Sequence, residues 1–218
     1  MSITRESVQK LLKSEDYGKR LSGINQLRQL EPAVAFELVQ PLINDRNTRV
    51  RYAAVSLMDV LGTQDLAVSL KILRDRLSDS EPDVQAAAAD ALGALKLTEA
   101  YDDLKQLYQD TPEWLVKMSI IAALGELGEP RSFELLLSAL SSDNGLIQTM
   151  AISVLGELGN TSAIPLLIPY ATHSDWQVRY RVAQALIKLG GAETRSTLET
   201  LANDPIAQVA QEAQGGLN

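Results

Sequence analysis

The amino-acid sequence predicts an all-α protein, a right-handed α-solenoid of seven stacked helix pairs. Three observations predict it. One sequence line recurs along the whole chain at a near-constant spacing, its apolar residues follow a helical period, and the composition suits helix packing.

The recurring line is V-R/Q-x-x-A-x-x-x-L-G-x-L-G. Its first apolar residue, taken as an anchor, falls at Val50, Val84, Val116, Ile147, Val178 and Val209, with a degenerate first copy at Lys19. Successive anchors are 31, 34, 32, 31, 31 and 31 residues apart. Within each copy apolar residues sit at +4, +8 and +11, so every anchor begins the buried stripe of a helix, helix B. The +8 row runs Leu27, Met58, Leu92, Leu124, Leu155, Leu186 and Leu217. Gly62, Gly128, Gly159 and Gly190 at +12 predict left-handed caps, whereas Glu31 and Lys96 at the same position predict helices that end differently.

A second helix, A, precedes each B helix. Pro130 to Leu140 and Thr161 to Ala171 are examples, and Pro32 and Pro130 suit a first helical turn. The expected organisation is one domain over residues 1–218, with helix-pair units at about 4–30, 32–61, 65–96, 98–127, 130–158, 161–189 and 193–217. No pair buries its own apolar stripe, so stacking is obligatory and the end copies are the least regular.

Apolar residues make up 45% of the chain and aromatics only 5%, which predicts a core of Leu, Val, Ile and Ala. A net charge of -8 argues against nucleic acid as partner. The absence of Cys removes disulfides and thiolate chemistry. The start has no apolar signal region, and no apolar run reaches the roughly 18–20 residues that span a bilayer. A cytoplasmic protein without membrane insertion is expected.

In helix B the +2, +6 and +9 positions point away from the buried stripe. They are expected to line the concave side of the stack. Tyr52, Met118 and Tyr180 lie at +2, Asp90 at +6 and Asp59 at +9. The middle of this face is small, with Ala86, Gly93, Ala122, Gly125, Ser153 and Gly156. Either neighbouring helices approach closely there, or the floor of a groove is kept open for a flat ligand or a partner's helix.

Position -2 carries Tyr17, Trp114 and Trp176, as wedges between repeats or as an aromatic rim for a ligand or partner. Position +1 carries Arg20, Arg51, Lys117 and Arg179, alternating with Gln85 and Gln148. With turn residues such as Asp45 these predict an Asp–Arg ladder between repeats. Asp59 and Asp90, on adjacent helices near Tyr52, either accept hydrogen bonds from ligand N–H groups or are solvated surface acids. His173 stands alone, so no two-histidine metal site forms and no metal is expected. No residue pattern by itself identifies an enzyme.

The unit of about 31 residues resembles the HEAT-like repeat of the phycobilin lyases of the E/F type. Arg49-Val50-Arg51-Tyr52-Ala53-Ala54-Val55 and Leu124-Gly125-Glu126-Leu127-Gly128 carry the likeness. The wording of Ile24 to Leu30, Ala35 to Leu42 and Asp83 to Ala91 resembles the cyanobacterial phycobilisome degradation proteins of the NblB type within that superfamily. The resemblance implies seven HEAT-like helix pairs and a role in phycobilisome disassembly, detaching or receiving phycocyanobilin. It implies phycobiliproteins (phycocyanin or allophycocyanin subunits) as partners, and the linear tetrapyrrole as substrate or ligand, with no prosthetic group. No family motif assigns catalytic residues.

The face analysis offers Asp59 and Asp90 as acid and base. It offers Arg51, Tyr52, Trp114, Met118, Trp176, Arg179 and Tyr180 as ligand contacts. Two rival functions are a non-catalytic adaptor for protein partners and a HEAT-like glycosylase for alkylated DNA bases. The net charge disfavours the second.

Overall fold

The computed structural model describes residues 3–217, so Met1, Ser2 and Asn218 of the expected domain lie outside the described residues. Every element among them is helical. In order they are α1 (Arg5–Leu12), α2 (Tyr17–Leu27), α3 (Pro32–Val39), α4 (Thr48–Ser56), α5 (Met58–Leu61), α6 (Leu66–Arg76), α7 (Pro82–Ala94) and α8 (Tyr101–Asp110). Then come α9 (Trp114–Leu127), α10 (Ser132–Leu140), α11 (Gly145–Glu157), α12 (Ile164–Leu167), α13 (Trp176–Leu189), α14 (Ala192–Leu201) and α15 (Ala207–Gly215). None is long and apolar enough to cross a membrane.

The sequence predicts one array; the contacts divide it into two compact units, the first ending at Leu127 and the second beginning at Gly128. In the first unit α1/α2, α3/α4–α5, α6/α7 and α8/α9 form four helix pairs. In the second, α10/α11, α12/α13 and α14/α15 form three. Within each unit the B helix of one pair packs on the B helix of the next: α2 on α4, α4 on α7 and α7 on α9, then α11 on α13 and α13 on α15. Each unit is thus a stack of helix pairs, the arrangement of an α-solenoid.

The repeat rows explain the core. Anchors Val50, Val84, Val116, Ile147, Val178 and Val209 are at most 3% exposed, and Leu27, Met58, Leu92, Leu124, Leu155 and Leu186 of the +8 row are fully buried. Each such side chain contributes about 1.5–3 kcal/mol by leaving water. Lys19, the degenerate anchor, is exposed, as the irregular end copy requires.

Four local expectations are corrected. Gly128, Gly159 and Gly190 take left-handed φ values of 64°, 68° and 64°, but Gly62 has φ -61° and continues into a 3-10 turn, Gly62–Gln64. Lys96 does not end its helix differently; at φ 53° it adopts the left-handed cap without being glycine. The stretch from Thr161 to Ala171 is not one helix: only Ile164–Leu167 is α, flanked by 3-10 turns. Pro169 has no N–H for an α-type bond and crowds the carbonyl four residues back, which tightens the chain into 3-10 geometry. Pro41, also nine residues before its anchor, lies in the matching 3-10 turn Gln40–Asn44. The helix expected from Pro130 begins at Ser132.

Candidate functional site

The +1 arginines form the ladder. Arg51 donates from Nε and Nη2 to the two Asp79 carboxylate oxygens, each at 2.9 Å, and from Nη1 to the Asp45 carbonyl at 3.0 Å. Arg179 does the same with Asp204, at 2.6 and 2.9 Å, and donates to the His173 carbonyl at 2.7 Å. Arg20 grips Asp45. The ladder has a register: the acid always stands five residues before the next repeat's anchor.

There the same carboxylate also accepts from a backbone N–H two residues on, Asn47 for Asp45, Glu81 for Asp79 and Ile206 for Asp204. Burial would raise the Asp79 carboxyl, but hydrogen bonds from Arg51 and the Glu81 amide outweigh it and hold the group below its usual value. Asp204 is lowered chiefly by the hydrogen bond from Arg179. Arg51 and Arg179, offered as ligand contacts, thus have their guanidinium groups engaged in joining repeats.

The small row is a close-packing row at Gly93 and Gly156. A Cβ on Gly93 would lie 2.6 Å from the Ala123 Cα, and one on Gly156 2.7 Å from the Ala185 Cα. Both glycines are buried. Position +9 of one repeat meets +7 of the next, which excludes an open floor at these two positions. The last copy reverses the sizes: Ile187 stands at +9, and its side chain occupies the space that a Cβ on Gly216 at +7 would need.

In the first unit Tyr52 and Trp114 are exposed, at 47% and 49%, and Met118 is half-buried one turn after Trp114 on α9. Asp59 is exposed on α5. No hydrogen bond joins it to Asp90 on α7. The acid coupled to Asp90 is instead Glu126 on α9. Asp90 is reached by solvent yet surrounded by protein atoms, and this desolvation raises its carboxyl above the usual 3.8, against a hydrogen bond from Ser119. Glu126 is raised by desolvation first and by the Asp90 charge second, with Lys96 opposing. This face therefore holds two carboxyl groups biased towards their protonated forms.

In the second unit α11, α13 and α15 line a groove of about 430 Å³. Trp176 and Tyr180 meet edge to face there, with ring centroids 6.5 Å apart. The Arg181 guanidinium lies 5.9 Å from the Tyr180 ring centre and donates to the Gln184 side chain at 2.8 Å. The Tyr180 hydroxyl is hydrogen-bonded to Glu212, which raises its pKa, and accepts from Gln184 at 3.1 Å. Leu146, Thr149, Gln177 and Gln208 complete the lining.

Of the residues proposed from the sequence, the structure brings Trp176 and Tyr180 together. Ser119, Glu126 and Arg181 fall outside the stripe that the sequence predicts. Ser119 and Arg181 stand at +3 and Glu126 at +10, roughly 80° to one side of the predicted stripe's centre at 100° per residue. The signal lay in the stack: +2 or +6 of one repeat meets +3 of the next, as Asp90 meets Ser119 and Tyr180 meets Glu212. No group of three or more His, Asp or Glu residues with metal-site geometry occurs among the described residues.

Among solved structures, the chain is similar to that of the CpcE–CpcF complex of phycocyanin lyase from Nostoc sp. PCC7120. The identity is 19%, covering 100% of this chain and 94% of the other, with a TM-score of 0.65. YibA of E. coli matches with a TM-score of 0.70 at 18% identity, over 99% of this chain and 82% of the other. These likenesses show a shared fold. No curated protein matches the chain by sequence. The family model for HEAT repeats matches residues 70–147 and 133–218, which together exceed half of the chain. The chain accordingly belongs to the HEAT-repeat family.

Proposed function

We propose that this HEAT-repeat protein is a phycobilisome disassembly factor that grips phycobiliproteins on its B-helix faces and detaches or receives their phycocyanobilin. The fold shared with the phycocyanin lyase structure supports the class of partner. The observation that carries the reading is the Asp90–Glu126 pair, two carboxyl groups on neighbouring B helices that are both held above their usual range.

Releasing a bilin from a cysteine thioether is an elimination. A base removes the proton on the carbon next to the thioether carbon, that electron pair becomes a double bond, the C–S bond breaks, and the sulfur leaves as the thiol after taking a proton. One carboxyl of the pair supplies the acid and the other, ionised, the base. Asp59, exposed on α5, is left as a surface contact to the partner rather than a member of the pair.

Mixing the protein with holo-phycocyanin, and following both visible absorbance and the bilin left covalently attached, tests this. Bilin release that falls at least tenfold with Asp90→Asn or Glu126→Gln is the expected result. The exposed aromatics Tyr52 and Trp114 favour one second reading, a non-catalytic adaptor. Stable complex formation without release would establish it in place of the first.

A further inference from the structure

We infer that the groove between α11, α13 and α15 is a separate binding site for a flat, conjugated carboxylate, stacked on Trp176 and anchored by Arg181. Its shape and its charge point the same way. The groove's volume of about 430 Å³ lies at the small end of ligand sites, which run from about 300 to 1,000 Å³. It therefore seats one flat segment of a larger molecule. Trp176 remains 38% exposed and Leu146 54% exposed on the facing helix, so apolar surface is open on both sides of the slot. Trp176 and Tyr180 meet edge to face, at an interplanar angle of 61°, so the two rings are not stacked on each other and part of the indole surface stays open to the groove.

The charge argument is sharper. The protein carries a net charge of -8, yet no carboxylate lines this groove. Its one ionised lining residue is Arg181, which makes no ion pair among the described residues, whereas Arg179, two residues earlier, is locked to Asp204. Glu212, hydrogen-bonded to the Tyr180 hydroxyl, lies close by but outside the lining. Gln177 and Gln208 add amide donors. A guanidinium over an aromatic wall, with neutral donors beside it, recognises a carboxylate attached to a π-system.

This assignment rests on the bilin reading for its choice of probe: biliverdin, a free linear tetrapyrrole with two propionates, and its dimethyl ester. Calorimetric titration of the whole protein should show saturable biliverdin binding. Trp176→Ala and Arg181→Gln should each weaken it at least tenfold. The ester should bind wild type as weakly as biliverdin binds Arg181→Gln, and should be indifferent to that substitution. Arg195→Gln, an exposed change on the A helix α14, should bind as wild type does. Thermal melts of the variants should match wild type, since both groove side chains are exposed.

Affinities within twofold of wild type for both groove variants would overturn the assignment, as would the absence of saturable binding. Release of bilin from holo-phycocyanin separates the two failures. Groove variants that bind biliverdin like wild type while release persists sink the groove alone. Release absent in wild type, with biliverdin still bound at Trp176 and Arg181, sinks the disassembly reading and leaves the groove.

Discussion

Replacing Gly93 or Gly156 by alanine sets two opposed effects against each other. Alanine in a helix interior is favoured over glycine by about 1 kcal/mol. Against this, the new Cβ would sit 2.6 Å from the Ala123 Cα in one case and 2.7 Å from the Ala185 Cα in the other. Carbon atoms rest comfortably at about 3.5–4.0 Å, so the two helices must separate by roughly 1 Å. The obstructing atom is backbone and has no rotamer to yield, which puts the cost near the top of the roughly 1–3 kcal/mol range for overpacking. Packing therefore wins by about 2 kcal/mol. With a urea m-value near 2 kcal/mol/M, the unfolding midpoint should fall by about 1 M, followed by far-UV circular dichroism. Gly145→Ala is the control, because its Cβ would meet nothing within 4 Å. If Gly93→Ala and Gly156→Ala unfold at or above the wild-type midpoint, the helices do not meet there and an open groove floor is restored.

The ladder predicts an order of loss. Arg179→Ala, which strips Asp204 of its arginine, should cost about 3 kcal/mol, and Arg51→Ala about 2 kcal/mol because Asp79 keeps Arg76 at 3.2 Å. Both carboxyl groups are held below their usual 3.8 in the folded state, so their contribution is complete above about pH 4 and lost as pH falls through the folded values. Urea titrations from pH 5 to pH 2 should show this acid loss in wild type and a flatter profile in Arg179→Ala; equal slopes would count against the ladder. Asp90 carries the opposite sign: its raised folded value means that stability is lost as pH climbs above 3.8. Asp90→Asn should match wild type near pH 3.5 and exceed it at pH 7, and an equal deficit at both would show that Asp90 is a structural acceptor instead.

Much of this was legible, because helical period and repeat spacing are the same physical fact viewed at two lengths. The +8 row is fully buried from Leu27 through Leu186, since one residue in each B helix must face the interior. The ladder was legible from Arg51 and Arg179 sharing +1. The five-residue offset of its acids is also in the sequence, where Asp45, Asp79 and Asp204 all occupy it, but acids in other turns mask it. Missing from a single-helix projection is the stagger between neighbouring helices. That stagger turns +3 residues such as Arg181 towards the preceding repeat's stripe and brings Glu126 at +10 beside Asp90. The prolines at 41 and 169 were visible too, but their effect depends on having no N–H inside an apolar pattern that otherwise predicts continuous helix.

Three offsets recur between neighbouring repeats within a unit: +1 to -5 for charge, +2 or +6 to +3 for hydrogen bonds, and +9 to +7 for size. They also separate structural residues from functional candidates. A side chain that satisfies its neighbour through one of these offsets is explained by stacking, as Arg179 is by Asp204 and Gly156 by Ala185. Trp176 and Arg181 escape all three. Trp176 stands at -2 with its ring partly in water, and Arg181 stands at +3, where Ser119 and Glu212 serve the preceding repeat's stripe. Indole left partly in water costs hydrophobic free energy, Arg181 makes a hydrogen bond to Gln184 but no ion pair among the described residues, and stacking asks for neither residue. Their coincidence in one groove is therefore where a ligand, rather than the repeat, accounts for the residues.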